Sequence, residues 1–375
     1  MKLAVLKETA EAERRVAATP ETVKKFAALG AEVAVEAGAG EAASVADSDY
    51  SGAGATVGPR EAVLAGAEIV LAVQAPDPGV LARAKAGALA VAIFDPFRQR
   101  QRVDAYAAAG LEALAMELMP RITRAQSMDV LSSQANLAGY KAVLDGAAEY
   151  GRAFPMMMTA AGTIPAARVF VMGVGVAGLQ AIATARRLGA VVSATDVRAA
   201  TREQIESLGA KAVFVEKVAG IEGEGAGGYA TEMSDEYKAA QAELVSGHIA
   251  KQDIVITTAL IPGRPAPRLI SDSQLASMRP GSVVVDLAVE QGGNAEGSAP
   301  GEVAVRHGVR IVGHRNVPSR LAADASALYA RNLYNFLSAF WDKEAARPAL
   351  PDEDEIVRGV RLTRSGKLVH ERLLA

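Results

Sequence analysis

The segment Gly173-Val174-Gly175-Val176-Ala177-Gly178 decides the fold that this sequence predicts. It follows an apolar run at residues 169–172, typical of a buried strand, and it opens an apolar stretch typical of a helix. In that context the first glycine permits a tight turn, the second lets a pyrophosphate approach the backbone, and the third lets the helix pack closely on the strand. Free N–H groups at the helix start attract phosphates. The segment predicts a Rossmann-like domain in which Gly173, Gly175, Val176 and Gly178 bind a dinucleotide.

An acidic residue, Asp196, follows the next predicted strand at residues 191–195, about where this fingerprint expects a carboxylate. A carboxylate there accepts hydrogen bonds from the adenosine ribose hydroxyls and repels a 2'-phosphate, which favours NAD(H) over NADP(H). Arg198 lies just beyond and could instead accommodate that phosphate. We expect the carboxylate to dominate, so the sequence predicts NAD(H) as the cofactor. A glycine-rich turn used only for packing is the alternative.

Strand-like and helix-like segments alternate in two series, the pattern of parallel α/β sheets. We therefore predict the α/β class, with two Rossmann-like doubly wound parallel-sheet domains joined by long helices at residues 123–150 and 319–341. The N-terminal α/β domain is expected at residues 1–125, completed by 320–375, and the NAD(H)-binding domain with its connecting helix at 126–319. The clearest predicted strands lie at residues 3–6, 33–36, 68–73, 88–94, 169–172, 191–195, 212–215, 253–257, 283–286 and 310–312.

Composition excludes several classes of function. A chain of 375 residues with 50% hydrophobic and 22% charged residues is expected to fold into two soluble domains. The formal net charge of -3 and the lack of a dense basic cluster argue against a nucleic-acid partner. Because there is no cysteine, the chain has no disulfide framework, thiolate metal site or cysteine nucleophile, and we predict no metal.

Neither a secretion signal nor a membrane span is expected from the sequence. Charged residues Lys2, Lys7 and Glu8 occupy the region where a secretory signal needs an apolar core. The most apolar stretch, residues 169–185, is short for a membrane span and contains several glycines. If a membrane is involved, other chains must supply the spanning helices.

A second informative stretch carries short polar side chains on a predicted helix. Gln126, Asp129 and Ser133 would share one helix face, with Ser132 beside it. From residue 125 to residue 140 the only charged side chain is that of Asp129, whereas a solvated face usually carries Lys and Glu. Two interpretations stay open, a ligand cleft and a structural polar helix.

A glycine-rich segment at residues 220–228 precedes Tyr229. Five glycines in nine residues make the backbone permissive. A surface loop without function and a lid over a ligand are both compatible with this composition.

Several runs of the chain resemble the NAD(H)-binding component of the proton-translocating, Re/Si-specific NAD(P) transhydrogenases. The most specific run covers residues 116–129 and includes Pro120-Arg121-Ile122-Thr123-Arg124-Ala125-Gln126-Ser127-Met128-Asp129. Further similar runs lie at residues 154–163, 173–188, 195–201, 227–230, 256–263 and 316–320, so that the resemblance covers nearly the whole chain.

This resemblance implies roles for individual residues. Arg121, Gln126, Asp129 and Ser132 would form the catalytic cluster around the nicotinamide, and Tyr229 would lie on a mobile loop that closes over the nucleotide. Hydride exchange between two nicotinamides needs alignment in a dry pocket rather than a general acid, a metal or a nucleophile. The cofactor-binding positions beyond the glycine-rich turn would be Asp196, Val197, Arg198, Gly228, Tyr229, Thr258, Ala259 and Leu260.

The resemblance also implies partners that this sequence does not contain. The family uses membrane-spanning subunits with a proton channel and a separate component that binds NADP(H). The chain would then be a homodimeric cytoplasmic subunit, attached peripherally to the inner (plasma) membrane through those partners.

The nearest alternative is an alanine dehydrogenase, which residues 7–20 also resemble. That family uses a lysine and a histidine in its first domain, but Gln74 takes the lysine position, and residues 90–96 contain no histidine. Arg14 and Arg15 would bind a substrate carboxylate in this alternative, and otherwise we expect them on the solvated surface. A catalytically silent NAD-binding regulatory module is a third possibility.

Overall fold

A computed structural model of the protein describes residues 1–215, 234–261 and 263–374, without the side chain of Lys238. It divides into two compact units, Met1–Gln134 with Pro318–Ala375, and Ala135–Val317. The sequence-based boundaries at 125/126 and 319/320 stay a prediction. The predicted cofactor residues Gly228 and Tyr229, with the glycine-rich segment around them, lie outside the described residues.

The first unit begins with an alternating βα series. Its elements are β1 Lys2–Val5, α1 Pro20–Ala28, β2 Glu32–Glu36, α2 Asp47–Gly52, β3 Thr56–Gly58, α3 Arg60–Leu64, β4 Ile69–Gln74, β5 Leu89–Ile93, α4 Arg100–Ala108 and β6 Glu112–Ala115. The 3-10 helices Glu41–Ala43, Pro78–Arg83, Met116–Leu118 and Thr123–Met128 lie in this part of the chain, and α5, Val130–Glu149, follows them.

The next elements belong to the second unit. They are β7 Met157–Thr159, β8 Gly162–Ile164, β9 Arg168–Met172, α6 Val176–Arg187, β10 Val191–Thr195, α7 Thr201–Ser207, β11 Lys211–Ala212, α8 Asp235–Ile249, β12 Ile254–Thr257, α9 Asp272–Ser277, β13 Val283–Asp286, β14 Val303–Arg306 and β15 Val309–Val312. The 3-10 helices Val289–Gln291 and Val317–Leu321 follow β13 and β15. The C-terminal elements are α10 Ala322–Ala339, β16 Trp341–Asp342, β17 Arg347–Pro348, α11 Glu355–Val360, β18 Arg361–Arg364, β19 Lys367–Leu368 and α12 Glu371–Leu374.

Each unit contains one large sheet with the doubly wound order. In the first unit the order is β19-β18-β6-β5-β4-β1-β2-β3, with β1 to β6 parallel and the C-terminal hairpin β18–β19 antiparallel to β6. In the second the order is β11-β10-β9-β12-β13-β15-β14, and only β14 is antiparallel. In each sheet the next two strands of the chain are added on one side of the first strand, β1 or β9, and the later parallel strands on its other side. This change in strand order is typical of Rossmann folds. The predicted fold class is confirmed.

Continuous runs of apolar residues explain why these strands are buried on both faces. Leu3 and Val5 of β1 join one core cluster, whereas Ala4 joins another on the opposite face. In β9, Val169 and Val171 likewise separate from Phe170. Successive side chains of a strand point to opposite faces, so a continuous apolar run fits a sheet covered by helices on both sides.

The predicted helix at residues 123–150 is wrong at its start. Residues Thr123–Met128 form a 3-10 helix, and α5 begins only at Val130. Asp129 between them has φ -73° and ψ 97°, an extended conformation that breaks the helix. Gln126 therefore does not share a continuous α-helical face with Asp129 and Ser133.

Candidate functional site

The glycine-rich turn lies at the carboxyl end of β9, where the sheet of the second unit changes direction. β10 pairs with β9 on one side and β12 on the other. The crevice at such a reversal is where open α/β sheets bind ligands. The turn leads directly into α6, whose first backbone N–H groups lack helical acceptors.

The three fingerprint glycines meet three different steric requirements. Gly173 has φ +98°, and a Cβ there would lie 2.6 Å from the Thr258 hydroxyl oxygen. A Cβ at Gly178 would lie 2.0 Å from the carbonyl oxygen of Gly173. At Gly175 a Cβ would meet no atom within 4 Å, and Val176 beside it is exposed. The turn is thus tightly packed on its inner side and open on its outer side, next to the first backbone N–H groups of α6.

Helix α5 packs closely against this turn. A Cβ at Gly139 of α5 would lie 2.0 Å from the carbonyl oxygen of Ala177. Glycine at this position therefore lets α5 approach the first turn of α6 closely. No role was predicted for Gly139 from the sequence, because a single glycine within a helical pattern does not reveal what packs against it.

The carboxylate of Asp196 lies against the turn, but it is already engaged by Arg198. Asp196 is 7% exposed, and its Oδ2 accepts a 2.7 Å hydrogen bond from the backbone N–H of Val174. The backbone N–H and the Nε of Arg198 donate to Oδ1, both at 2.9 Å, and its Nη2 donates to Oδ2 at 3.0 Å. In the sequence, Asp196 favoured NAD(H), whereas Arg198 could accommodate the 2'-phosphate of NADP(H). In the structure the two side chains form one ion pair. The neighbouring Val197 is half-buried.

The predicted segment Thr258, Ala259 and Leu260 follows β12 across the crevice. The Thr258 hydroxyl donates to the carbonyl oxygen of Gly173 at 2.9 Å, which ties this segment to the glycine-rich turn. The fully buried Asn294 accepts from the N–H of Ala259 at 3.1 Å and donates to its carbonyl oxygen at 2.9 Å. Asn294 was not predicted from the sequence. The glycine pair that precedes it, just after β13, was the available signal.

The predicted catalytic residues of the first unit lie around the junction of the 3-10 helix Thr123–Met128 with α5. Arg121 precedes the 3-10 helix, Gln126 lies within it, and Ser132 lies in the first turn of α5. Asp129 is the N-cap of α5: its carboxylate accepts from the Ser132 N–H at 2.9 Å and from the Ser132 hydroxyl at 2.5 Å. The side chains of Arg121 and Gln126 are exposed. The structure thus brings Asp129 and Ser132 into direct contact and leaves Gln126 facing solvent. An N-cap of this kind satisfies orphan N–H groups at a helix start.

Arg15 is buried, so the expectation of a surface position is wrong for it, while Arg14 is exposed. The Arg15 guanidinium donates to both carboxylate oxygens of Glu13, at 2.7 and 2.6 Å. Gln74 donates to the same carboxylate at 3.0 Å. Glu13 thereby engages both residues that an amino-acid dehydrogenase would direct at its substrate. Glu13 was not predicted from the sequence, although its position two residues before Arg15 was a signal for an ion pair.

Two half-buried carboxyl groups, those of Glu8 and Glu117, lie at the carboxyl end of the first sheet. Burial raises the pKa of Glu8, which lines a cavity of about 430 Å³, to about 7. Burial also raises the pKa of Glu117 to about 7. The Glu117 Oε1 accepts from the N–H groups of Phe94 at 2.8 Å and Asp95 at 2.6 Å, and Asp95 adopts φ +50°. This edge of the sheet is polar and conformationally strained.

Two of the histidines, His248 and His370, make structural contacts. His248 packs on the ring of Phe170 and shares a 2.8 Å hydrogen bond with Ser193, and burial lowers its pKa. His370 Nε2 lies 3.1 Å from the carbonyl oxygen of Gly359. Within residues 1–215, 234–261 and 263–374, no group of three or more His, Asp or Glu side chains is placed to hold a metal ion. In the same residues no helix is both long and apolar enough to cross a membrane.

Comparisons with known proteins agree with this geometry. Residues 4–138 match the family profile "Alanine dehydrogenase/PNT, N-terminal domain", and residues 142–371 match "Alanine dehydrogenase/PNT, C-terminal domain". The chain is 56% identical over 379 residues to an NAD(P) transhydrogenase subunit alpha polypeptide of Rhodospirillum rubrum, covering 100% of this chain and 99% of that protein.

Solved structures give the same result. The crystal structure of transhydrogenase from Sinorhizobium meliloti superposes with a TM-score of 0.90 at 56% identity and covers 98% of this chain and 100% of the other. An L-alanine dehydrogenase superposes with a TM-score of 0.81 at 26% identity and covers 100% and 98%. The resemblance seen in the motifs is confirmed: the chain belongs to the alanine dehydrogenase/PNT family, among the NAD(P) transhydrogenase alpha subunits.

Proposed function

We propose that this chain is the NAD(H)-binding subunit of a proton-translocating NAD(P) transhydrogenase. It exchanges hydride between its own NAD(H) and NADP(H) held on a partner subunit, and membrane-spanning subunits couple this exchange to proton movement. The observation that carries the proposal is the glycine-rich turn, open at Gly175 and flanked by Asp196, in a chain similar over its full length to a transhydrogenase alpha subunit.

The residues of the second unit fit a dinucleotide. The α6 amides and the open face at Gly175 would hold the pyrophosphate. Asp196, Val197 and Arg198 would lie along the adenosine ribose. Thr258, Ala259 and Leu260, held in place by Asn294 and the turn, would border the other side of the crevice. The assignment of Gly228 and Tyr229 to the same site rests on the sequence resemblance alone.

We assign the nicotinamide end to Arg121, Gln126, Asp129 and Ser132. Bound NADH supplies the hydride from its nicotinamide ring. The protein's contribution is to orient the ring and keep water out, because hydride exchange depends on close alignment of two carbon atoms. Asp129 and Ser132 are suited to a fixed position because each restrains the other at the start of α5. The exposed side chains of Arg121 and Gln126 are suited to contact with a ligand or a facing subunit.

The contacts of Glu13 with Arg15 and Gln74 argue against an alanine dehydrogenase activity. An amino-acid dehydrogenase needs a cation for the substrate carboxylate, but Arg15, one of the two candidates, is 4% exposed and paired with Glu13. Gln74 supplies an amide where proton transfer would need a titratable group. We therefore expect the chain to oxidise no NADH in the presence of pyruvate and ammonia.

We propose a homodimer on the basis of the β7–β8 hairpin. Met158 and Ile164 on this hairpin are 78% and 38% exposed, and Met156, just before it, is 62% exposed. Methionine-rich apolar surface of this kind is typical of protein interfaces. The complex would lie on the cytoplasmic side of the inner membrane, attached through the membrane-spanning partners.

A hydride-transfer assay with NADH and an NADP+ analogue tests the proposal. The chain should support hydride transfer when the membrane-spanning and NADP(H)-binding subunits are added. By itself it should support no transfer. Tight NADH binding with no transfer in the complete complex would indicate a regulatory module instead. NADH oxidation that depends on pyruvate and ammonia would indicate an amino-acid dehydrogenase.

A further inference from the structure

Helix α10 holds the 3-10 helix that carries Gln126. The side-chain amide of Asn332 donates to the carbonyl oxygen of Ser127 at 2.8 Å, and that of Asn335 donates to the same oxygen at 3.0 Å. Two donors on one carbonyl fix the position of the Ser127–Met128 peptide, one residue beyond Gln126. A carbonyl with two lone pairs accepts both bonds without strain.

Asn332 also holds the chain on the far side of Asp129. Its Oδ1 accepts a 2.7 Å hydrogen bond from the Ser133 hydroxyl, in the first turn of α5. One side chain thus connects residue 127 to residue 133, across the bend at Asp129. Asn332 is 7% exposed, so water competes little for these bonds, and an unmade bond would leave a buried polar group unsatisfied.

A buried chain of polar contacts extends this clamp to Arg15 within the first unit. Gln134 donates to the Ser133 hydroxyl at 3.2 Å and to the carbonyl oxygen of Ala325 at 3.1 Å. Arg15 in turn donates to Gln134 at 2.9 Å. By contrast, the ion pair of Arg124 with Asp354 on the same segment is a surface pair and contributes little rigidity.

We propose that Asn332 is a positioning residue for hydride transfer, resting on the proposed function of Gln126 and Asp129. It touches neither cofactor nor reacting atoms. It sets the bend between the 3-10 helix and α5, and so sets where Gln126 and Asp129 point. Because transfer depends on alignment, a shift of this bend lowers turnover while the pyrophosphate and adenosine contacts of the second unit persist.

The test compares Asn332→Leu, Asn335→Ala and the control Arg331→Gln in the complex reconstituted with its NADP(H)-binding and membrane-spanning partners. Leucine is similar in shape to asparagine but makes neither hydrogen bond. Arg331 is exposed on the same helix and pairs with Glu21, away from this bend. The measurements are kcat per folded molecule, the Kd for NADH, and amide hydrogen exchange of residues 123–129.

Asn332→Leu should lower kcat about tenfold or more with NADH Kd within about twofold of wild type, since small misplacements at a reacting centre cost large factors in rate. Exchange at residues 123–129 should accelerate. Asn335→Ala should also lower kcat and accelerate exchange at residues 123–129, by smaller factors. If Asn332→Leu does not fold, Asn335→Ala provides the test. Arg331→Gln should behave as wild type.

Unchanged kcat and unchanged exchange in both asparagine variants would overturn the proposal, as would a parallel loss of kcat and NADH affinity. If the wild-type complex transfers no hydride, the proposed function fails instead. In that event the exchange measurement on the chain still reports whether Asn332 holds the bend.

Discussion

The Asp196 carboxylate has little capacity left for a ribose. It accepts four hydrogen bonds, one from Val174 and three from Arg198, and an ionised carboxylate offers about four acceptor positions. A ribose hydroxyl can donate to Asp196 only if a donor of Arg198 gives way. Arg198 also offsets the negative charge that would repel a 2'-phosphate. Specificity for the nucleotide is thus a property of the pair.

We predict that Arg198→Gln increases the preference for NADH over NADPH by about tenfold, or ~1.4 kcal/mol. The charge of Asp196 is then no longer offset at a site where both side chains are largely shielded from water. Fluorescence titration with both nucleotides measures this. Asp196→Asn should act in the opposite direction, weakening NADH binding and relaxing the discrimination. A reduced preference in Arg198→Gln would instead show that the guanidinium itself grips the nucleotide.

Glu117 should make the protein less stable as the pH rises. Burial raises its pKa from 4.5 to about 7, so the folded chain retains a proton that the unfolded chain releases. The contribution to stability is complete below pH 4.5 and is lost as the pH rises through about 7, with a magnitude on the order of a few kcal/mol.

Urea denaturation across this pH range measures the effect. Glu117→Gln keeps an acceptor for the N–H groups of Phe94 and Asp95 but cannot titrate, so it should flatten the slope. Glu8, whose pKa burial also raises to about 7, contributes a further share of the same sign, which Glu8→Gln should remove. The same slope in Glu117→Gln as in wild type would contradict the assignment.

At the scale of elements, the start of α5 combines two roles in Asp129. As the N-cap it stabilises the helix, and as a charged group it belongs to the proposed nicotinamide site. Asn and Asp cap helices equally well, whereas alanine does not cap. The two roles can therefore be separated by substitution.

We predict that Asp129→Ala lowers the free energy of unfolding by about 1 kcal/mol. Asp129→Asn should leave it nearly unchanged and still slow hydride transfer, because the acceptor for Ser132 is kept while the charge is lost. Gln126→Asn should likewise slow transfer far more than it weakens NADH binding. Chemical denaturation and the reconstituted assay provide both readouts. Normal turnover in a fully stable Asp129→Asn protein would restrict Asp129 to its capping role.

For the molecule as a whole, the exposed apolar side chains of the β7–β8 hairpin are a feature that the fold of a single chain does not explain. Met158→Glu places a charge on its most exposed apolar position, and we predict that the proposed dimer dissociates while NADH affinity is retained. Val305→Glu is a matched control, since Val305 is 65% exposed on β14, away from the hairpin. Sedimentation analysis distinguishes the outcomes. A dimer that persists in Met158→Glu and dissociates in Val305→Glu would place the interface at β14, the edge strand of the second sheet.

Much of the fold was predictable from sequence because its signals are local. Continuous apolar runs identified β10 and β13 to the residue, and the alternation of strand-like and helix-like runs predicted the doubly wound sheet around β9. Short edge elements were less visible: β16 to β19 have few apolar residues, and the hairpin β18–β19 pairs with a strand far away in the chain. A strand whose partner is distant in sequence leaves no local period to detect.

Neighbouring residue types were enough to predict the α/β class, the glycine-rich turn and its candidate acid, because the backbone geometry at Gly173 and Gly178 is set locally. The partner that each polar side chain takes was settled by the packing of distant parts of the chain. Arg15 pairs with Glu13 rather than facing solvent, and Asn332 reaches Ser127, 205 residues away. Such choices depend on which groups burial brings together, since a buried donor must find an acceptor wherever packing places one.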